Sequence, residues 1–237
     1  LLVLIFWLAA LDNEKAAETW PYDRFAFWKM IESSCAGFSL PEIFTWTTLG
    51  TTCLTNFKSM VESGAWECNF DLGFGEANRA TLASALLYYT YATTKVGDIG
   101  LLDGNEPYLE FQEPSGWQLL QPSPDCPGFD DCPAGSLKDS YLAPASAIAF
   151  LVGAVPTLEP GQAATLAVKS TNGQEVWVWA GSMEQPGGLA AGVWSKTKAT
   201  WTNLYATSGR APKTMVVVVN PDASIGARFS IRTSIAR

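Results

Sequence analysis

The C-terminal half of the chain alternates apolar and polar positions at the period of β-strands. Ala163 to Gly181, AATLAVKSTNGQEVWVWAG, predicts two strands joined by a two-residue turn at Asn172-Gly173, the strongest short-range hairpin signal. That turn sets Val168 opposite Trp177 and Leu166 opposite Trp179. Leu166, Val168, Trp177 and Trp179 then share one face, and Ala167, Val176 and Val178 share the other. Both faces are largely apolar, so the ribbon is expected between layers. Further strands are predicted over 148–155, stopped by Pro156, and over 192–196, 200–206 and 214–219. The last run, TMVVVV, reads as a strand buried on both faces. In the closing run 225–233, Ile225, Ala227, Phe229 and Ile231 point inward, while Arg228, Ser230 and Arg232 point outward.

The N-terminal half is less regular. Residues 1–10, 22–31, 43–48, 65–72, 107–112 and 117–121 read as strands. Phe57, Met60 and Val61 sit at helical spacing within 54–64. Residues 76–89 hold good helix formers with Asn78 or Thr81 as caps, but the tail YYTYATTK has β character, which leaves helix or strand open. Pro122 to Ser140 reads as one long loop with four prolines. The pattern predicts a mainly β protein: an antiparallel two-sheet sandwich, jelly-roll-like, with one or two short helices, in a single domain spanning 1–237.

Composition sharpens this. Apolar residues make up 48% and charged residues 16%, with ten tryptophans, which fits either a large two-layer core or a surface buried against other copies. With no histidine, Ser-His-Asp and Cys-His catalysis, His-ligated zinc and a histidine pH switch are excluded. The net charge of −8 is uneven: residues 1–143 hold 19 acidic and 7 basic side chains, residues 144–237 hold 4 and 8. There is no Lys/Arg run to act as a nucleic-acid-binding arm. Five cysteines are an odd number and so do not read as a disulfide framework, though Cys126 and Cys132 can close a small loop. No N-glycosylation sequon occurs. The opening LLVLIFWLAAL is 11 apolar residues, too short to span a bilayer and without the basic start of a signal peptide. The chain is expected to follow a cleavage or to belong to something longer.

Four groups of residues carry candidate chemistry. Asp125, Asp130 and Asp131, with Asp139, can offer oxygens to calcium, without EF-hand spacing; the alternative is a solvated acidic loop. Glu110 and Gln112, with Glu106 and Glu113 beside Trp117, offer carboxylates of the kind a glycosidase needs, though any acidic chain provides such neighbours. Trp194 and Trp201 can form a sugar-stacking platform, whereas the predicted pairing assigns Trp177 and Trp179 to the core. Arg228 and Arg232, on one polar face, can meet phosphate or a neighbouring subunit, or can simply solvate an edge strand. GFGEAN lacks the third glycine and the Lys-Ser/Thr of a phosphate loop.

The segments LLVLIFWLAAL, EVWVWAG and TMVVVVNPDASIGARFSIRTSIAR, spaced as eight to ten β runs with long loops between them, resemble the jelly-roll shell domain of coat proteins from small icosahedral RNA viruses. The resemblance implies a structural, non-enzymatic capsid protein of the virion that self-assembles with copies of itself or sibling subunits. It also implies genome contact on the inner surface and often calcium between subunits. The chain departs from arm-bearing families in lacking a basic N-terminal segment, which leaves genomic RNA without an evident binding arm. The alternative is a secreted or surface β-sandwich that binds carbohydrate in a lectin-like manner. A third reading is a histidine-free hydrolase built on Glu110 or Glu113.

Overall fold

The computed structural model describes residues 30–38, 53–65, 67–68, 81–93, 118–126, 128–153, 159–182, 193–197, 201–207 and 214–236. The strands expected over 1–10, 43–48 and 107–112 lie outside these residues. The described strands begin with β1 (Cys35–Ala36), β2 (Glu67–Cys68), β3 (Gln118–Leu120), β4 (Leu137–Leu142) and β5 (Ser146–Val152). They continue with β6 (Ala163–Ser170), β7 (Val176–Ser182), β8 (Val193–Thr197), β9 (Trp201–Thr207), β10 (Thr214–Asn220) and β11 (Ala227–Ala236). The helices α1 (Cys53–Glu62) and α2 (Leu82–Thr93) are described from end to end, and residues 30–34 are also helical.

Of the two large sheets, one has the order β4-β11-β6-β9 and the other β3-β5-β10-β7-β8, while β1 and β2 form a separate antiparallel pair. The pairs β4·β11, β5·β10, β6·β9 and β7·β8 are all antiparallel and nest one inside the next. They fall alternately in the two large sheets, so the strands from β4 to β11 make one long ribbon folded back and forth across the core. The pairs β6·β11 and β7·β10 then join the turns of that roll side by side. This is the winding of an eight-stranded jelly roll. β3 adds a parallel strand at the free edge of β5.

The inner faces meet in one core. Leu142, Leu166, Val168, Phe229 and Ile231 come from one sheet; Phe150, Val176, Val178, Val216 and Val218 come from the other. Phe150 and Phe229 meet edge to face across the gap, with ring centroids 6.0 Å apart. In β10, Val216 and Val218 enter this core, while Met215, Val217 and Val219 point the other way and are just as buried. α2 packs on β10 and β5 from that second side, which explains a strand with no polar alternation. Thr81 caps α2, its Oγ1 accepting from the Ser84 amide at 3.1 Å. The tail of that segment is helical to Thr93 despite its β-formers, because tertiary packing overrides propensity.

The Asn172-Gly173 reading needs correction. β6 and β7 do not pair; they lie in different sheets, joined by the five residues 171–175. Asn172 extends the β6–β11 ladder with its side chain instead. Its Nδ2 donates to Gly226 O and its Oδ1 accepts from the Arg228 amide, both at 3.0 Å. Gly173 takes a φ of +76°, and the chain arches over to the opposite sheet. Leu166 and Val168 therefore face Val176 and Val178 across the core, while Trp177 and Trp179 sit on the far side of their own sheet.

Three other expectations change. Residues 30–34 are helical where a strand was expected to run to Ile31. β4 begins at Leu137, inside the segment read as loop. Ile225 is exposed and precedes β11, although Ala227, Phe229 and Ile231 do point inward. Two disulfides, Cys35–Cys68 and Cys126–Cys132, are present despite the odd cysteine count; parity counts residues, not pairs.

Candidate binding groove on the outer face of the four-stranded sheet

Because side chains alternate along a strand, the face of β4, β11 and β6 turned away from the core carries Asp139 and Tyr141, Arg228, Ser230 and Arg232, and Lys169. β11 is central in its sheet, so its arginines do not guard an edge. Residues 121–126 and 128–136 cross part of this face. Ser123 O accepts from the Ile235 amide at 3.1 Å, and Ser136 O accepts from the Thr233 amide at 2.8 Å. Arg232 Nη1 donates to Cys126 O at 2.7 Å and to Ser234 Oγ at 3.3 Å. The Cys126–Cys132 disulfide closes the loop that follows. That loop carries Phe129 over the guanidinium of Arg232, 5.0 Å from the ring centroid, and near Lys169 Nζ at 5.8 Å. Arg232 is only 6% exposed, and burial lowers its pKa from the ordinary arginine range.

The loop stops short of the rest of the face and leaves a groove of about 620 Å³. Phe129 and Asp130 form its wall. Asp139, Ser230 and Lys169 form one cross-strand row of its floor, and Tyr141 and Arg228 form the next. Ser230 Oγ donates to Asp139 Oδ1. The Arg228 guanidinium lies 5.9 Å from the Tyr141 ring centroid. Tyr141 is 46% exposed, and its ring lies where a side chain at residue 226 would project, which Gly226 permits. Among the described residues neither Lys169 nor Arg228 forms an ion pair. The groove therefore combines a half-exposed tyrosine ring, two cations without an ion-pair partner among the described residues, two carboxylates and several hydroxyls.

The other candidates fall as follows. Asp125, Asp130 and Asp131 are exposed in the loop, and among the described residues no three acidic or cysteine side chains gather at a common point. Arg228 lines the groove, whereas Arg232 lies beneath the loop. Trp179 is buried. Trp177 is half-buried and donates from Nε1 to Glu175 at 3.0 Å, with Lys196 Nζ 5.6 Å from its ring centroid. The side chains of Trp194 and Trp201, and residues Glu106, Glu110, Gln112, Glu113 and Trp117, lie outside the described residues. Sequence reasoning missed Tyr141, Lys169 and Phe129 as site residues. The Asp139-x-Tyr141 alternation was a usable signal, hidden in a stretch dense in proline, glycine and aspartate.

No protein-family model matches the chain, and no curated protein matches it. Among solved structures it is similar to the pre-peptidase C-terminal domain of a collagenase from Bacillus anthracis, at 10% identity over 48% of this chain and 93% of that one, with a TM-score of 0.32. It is also similar to PirA, at 14% identity over 43% of this chain and 96% of that one, with a TM-score of 0.28. No described helix is long and apolar enough to cross a membrane.

Proposed function

We propose that this jelly roll is a saccharide-binding module and that the groove beside Tyr141 is its ligand site. The observation that carries the reading is an exposed tyrosine ring on an open sheet face, bordered by hydrogen-bonding groups of both signs. A pyranose ring has an apolar face that stacks on an aromatic ring and a rim of hydroxyls that need donors and acceptors. The volume of about 620 Å³ falls within the range of small-ligand sites. Two disulfides favour an oxidising compartment, as in a secreted or surface-exposed module.

The test is a panel of immobilised glycans probed with the wild-type chain and with Tyr141→Ala. Binding of at least one glycan, weakened by about tenfold or more in the variant, supports the site. Glycan binding that is unchanged in Tyr141→Ala removes the groove from the account. No binding across the panel removes the function.

The coat-subunit reading has one observation in its favour, the jelly-roll winding itself. That winding serves capsids and lectins alike, so it does not choose between them. Mass by light scattering separates the two: uniform particles of megadalton size support a shell, and a monomer or small oligomer supports the module.

A further inference from the structure

From the charges in the groove we infer that its ligand is an acidic saccharide, one whose ring carries a carboxylate or a sulfate. The inference rests on the saccharide reading above and narrows it. Lys169 lies directly across from Ser230, and Arg228 is two residues along the same strand from Ser230. The two cations are thus diagonal neighbours on adjacent strands and point to the same side of the sheet. Both are exposed, and neither is neutralised by an ion pair among the described residues.

Arg228 has Asp139 as its other diagonal neighbour, yet its guanidinium lies over the Tyr141 ring instead. Lys169 likewise lies near the ring of Phe129. Each cation lies near an aromatic ring and forms no ion pair among the described residues, while Asp139 accepts the Ser230 hydroxyl.

A neutral sugar uses the tyrosine and the carboxylates but leaves both cations unmatched. An isolated anion such as phosphate uses the cations but leaves the ring and the carboxylates idle. An acidic saccharide matches all three: its acid group meets Lys169 and Arg228, its hydroxyls donate to Asp139 and Asp130, and its ring packs beside Arg228 on the exposed part of Tyr141. Arginine and lysine both suit such an oxyanion, the arginine through its paired N–H groups.

The experiment is titration calorimetry of the full chain with three probes of similar length: a neutral oligosaccharide, a uronate oligosaccharide and a sulfated oligosaccharide. At least one acidic probe is expected to bind about tenfold or more tightly than the neutral one at low ionic strength, with the advantage shrinking as salt is raised. Lys169→Gln and Arg228→Gln are each expected to weaken acidic binding several-fold and neutral binding far less, so that the preference for the acidic probe shrinks; an undiminished preference in both variants overturns the inference. The tighter of the two acidic probes identifies the acid group. Equal affinity for neutral and acidic probes overturns the inference and leaves the saccharide function standing. Failure of both acidic probes overturns the inference, and the saccharide function is then decided by the glycan panel.

Discussion

Asn220 is fully buried, and its amide ties two chain crossings together. Nδ2 donates to Ala143 O at 2.7 Å and to Ile225 O at 2.8 Å, and Oδ1 accepts from the Asp222 amide at 3.1 Å. Ala143 belongs to the turn between β4 and β5, and Ile225 to the turn between β10 and β11. The nested winding brings those two crossings together, and Asn220 joins them. Asn220→Ala leaves two carbonyls and one amide without these partners, so we expect a loss of about 2–4 kcal/mol in denaturant unfolding. A loss under about 0.5 kcal/mol, the range of ordinary surface changes, would contradict this role. In the sequence, Asn220-Pro221-Asp222 is a turn signal and nothing more. The partners of the side chain are 77 residues upstream and two and five downstream, and no local pattern encodes the distant one. Asn172 makes the same point from the other side. Its local signal was strong and read as a hairpin, but the side chain is used on β11.

Among the elements, strands buried on both faces were the most legible. TMVVVV became β10, with α2 on one side and the facing sheet on the other. β4 was the least legible. It is an edge strand whose outer face is solvated, and Lys138, paired with Ile231, stands on the same side of the sheet as that core residue. An inward charge is a known device for protecting an edge, and it erases the apolar period that marks a strand. The groove was lost with it, because Asp139 and Tyr141 sit on that strand.

The disulfide-closed loop beside β4 is the element on which the wall of the groove depends. Cys126→Ser with Cys132→Ser opens a loop whose cysteines are six residues apart, which costs about 2 kcal/mol in the chain-entropy view. We expect the double variant to stay folded, to unfold at lower denaturant, and to bind saccharide more weakly because Phe129 and Asp130 are no longer held. Unchanged affinity in the folded variant would show that the loop does not shape the site.

Across the whole molecule, the sequence supported a mainly β, antiparallel sandwich wound as a jelly roll, and the strand order bears this out. Alternation marks which residues are buried, so Leu166, Val168, Phe229 and Ile231 were recognisable as core. It does not mark which sheet a strand joins, because β6 and β7 look alike whether paired or facing. The site follows from the winding: β4 and β6 become neighbours of β11, and so bring Tyr141, Lys169 and Arg228 onto one face from positions far apart in the chain. The central claim is that this face holds the ligand. The direct measurement is a residue-by-residue map of backbone amide shifts on addition of an acidic oligosaccharide. The account predicts changes centred on residues 128–130, 139–141, 169–171 and 228–230. Changes centred instead on Trp177 and Lys196, across the sandwich, would contradict it.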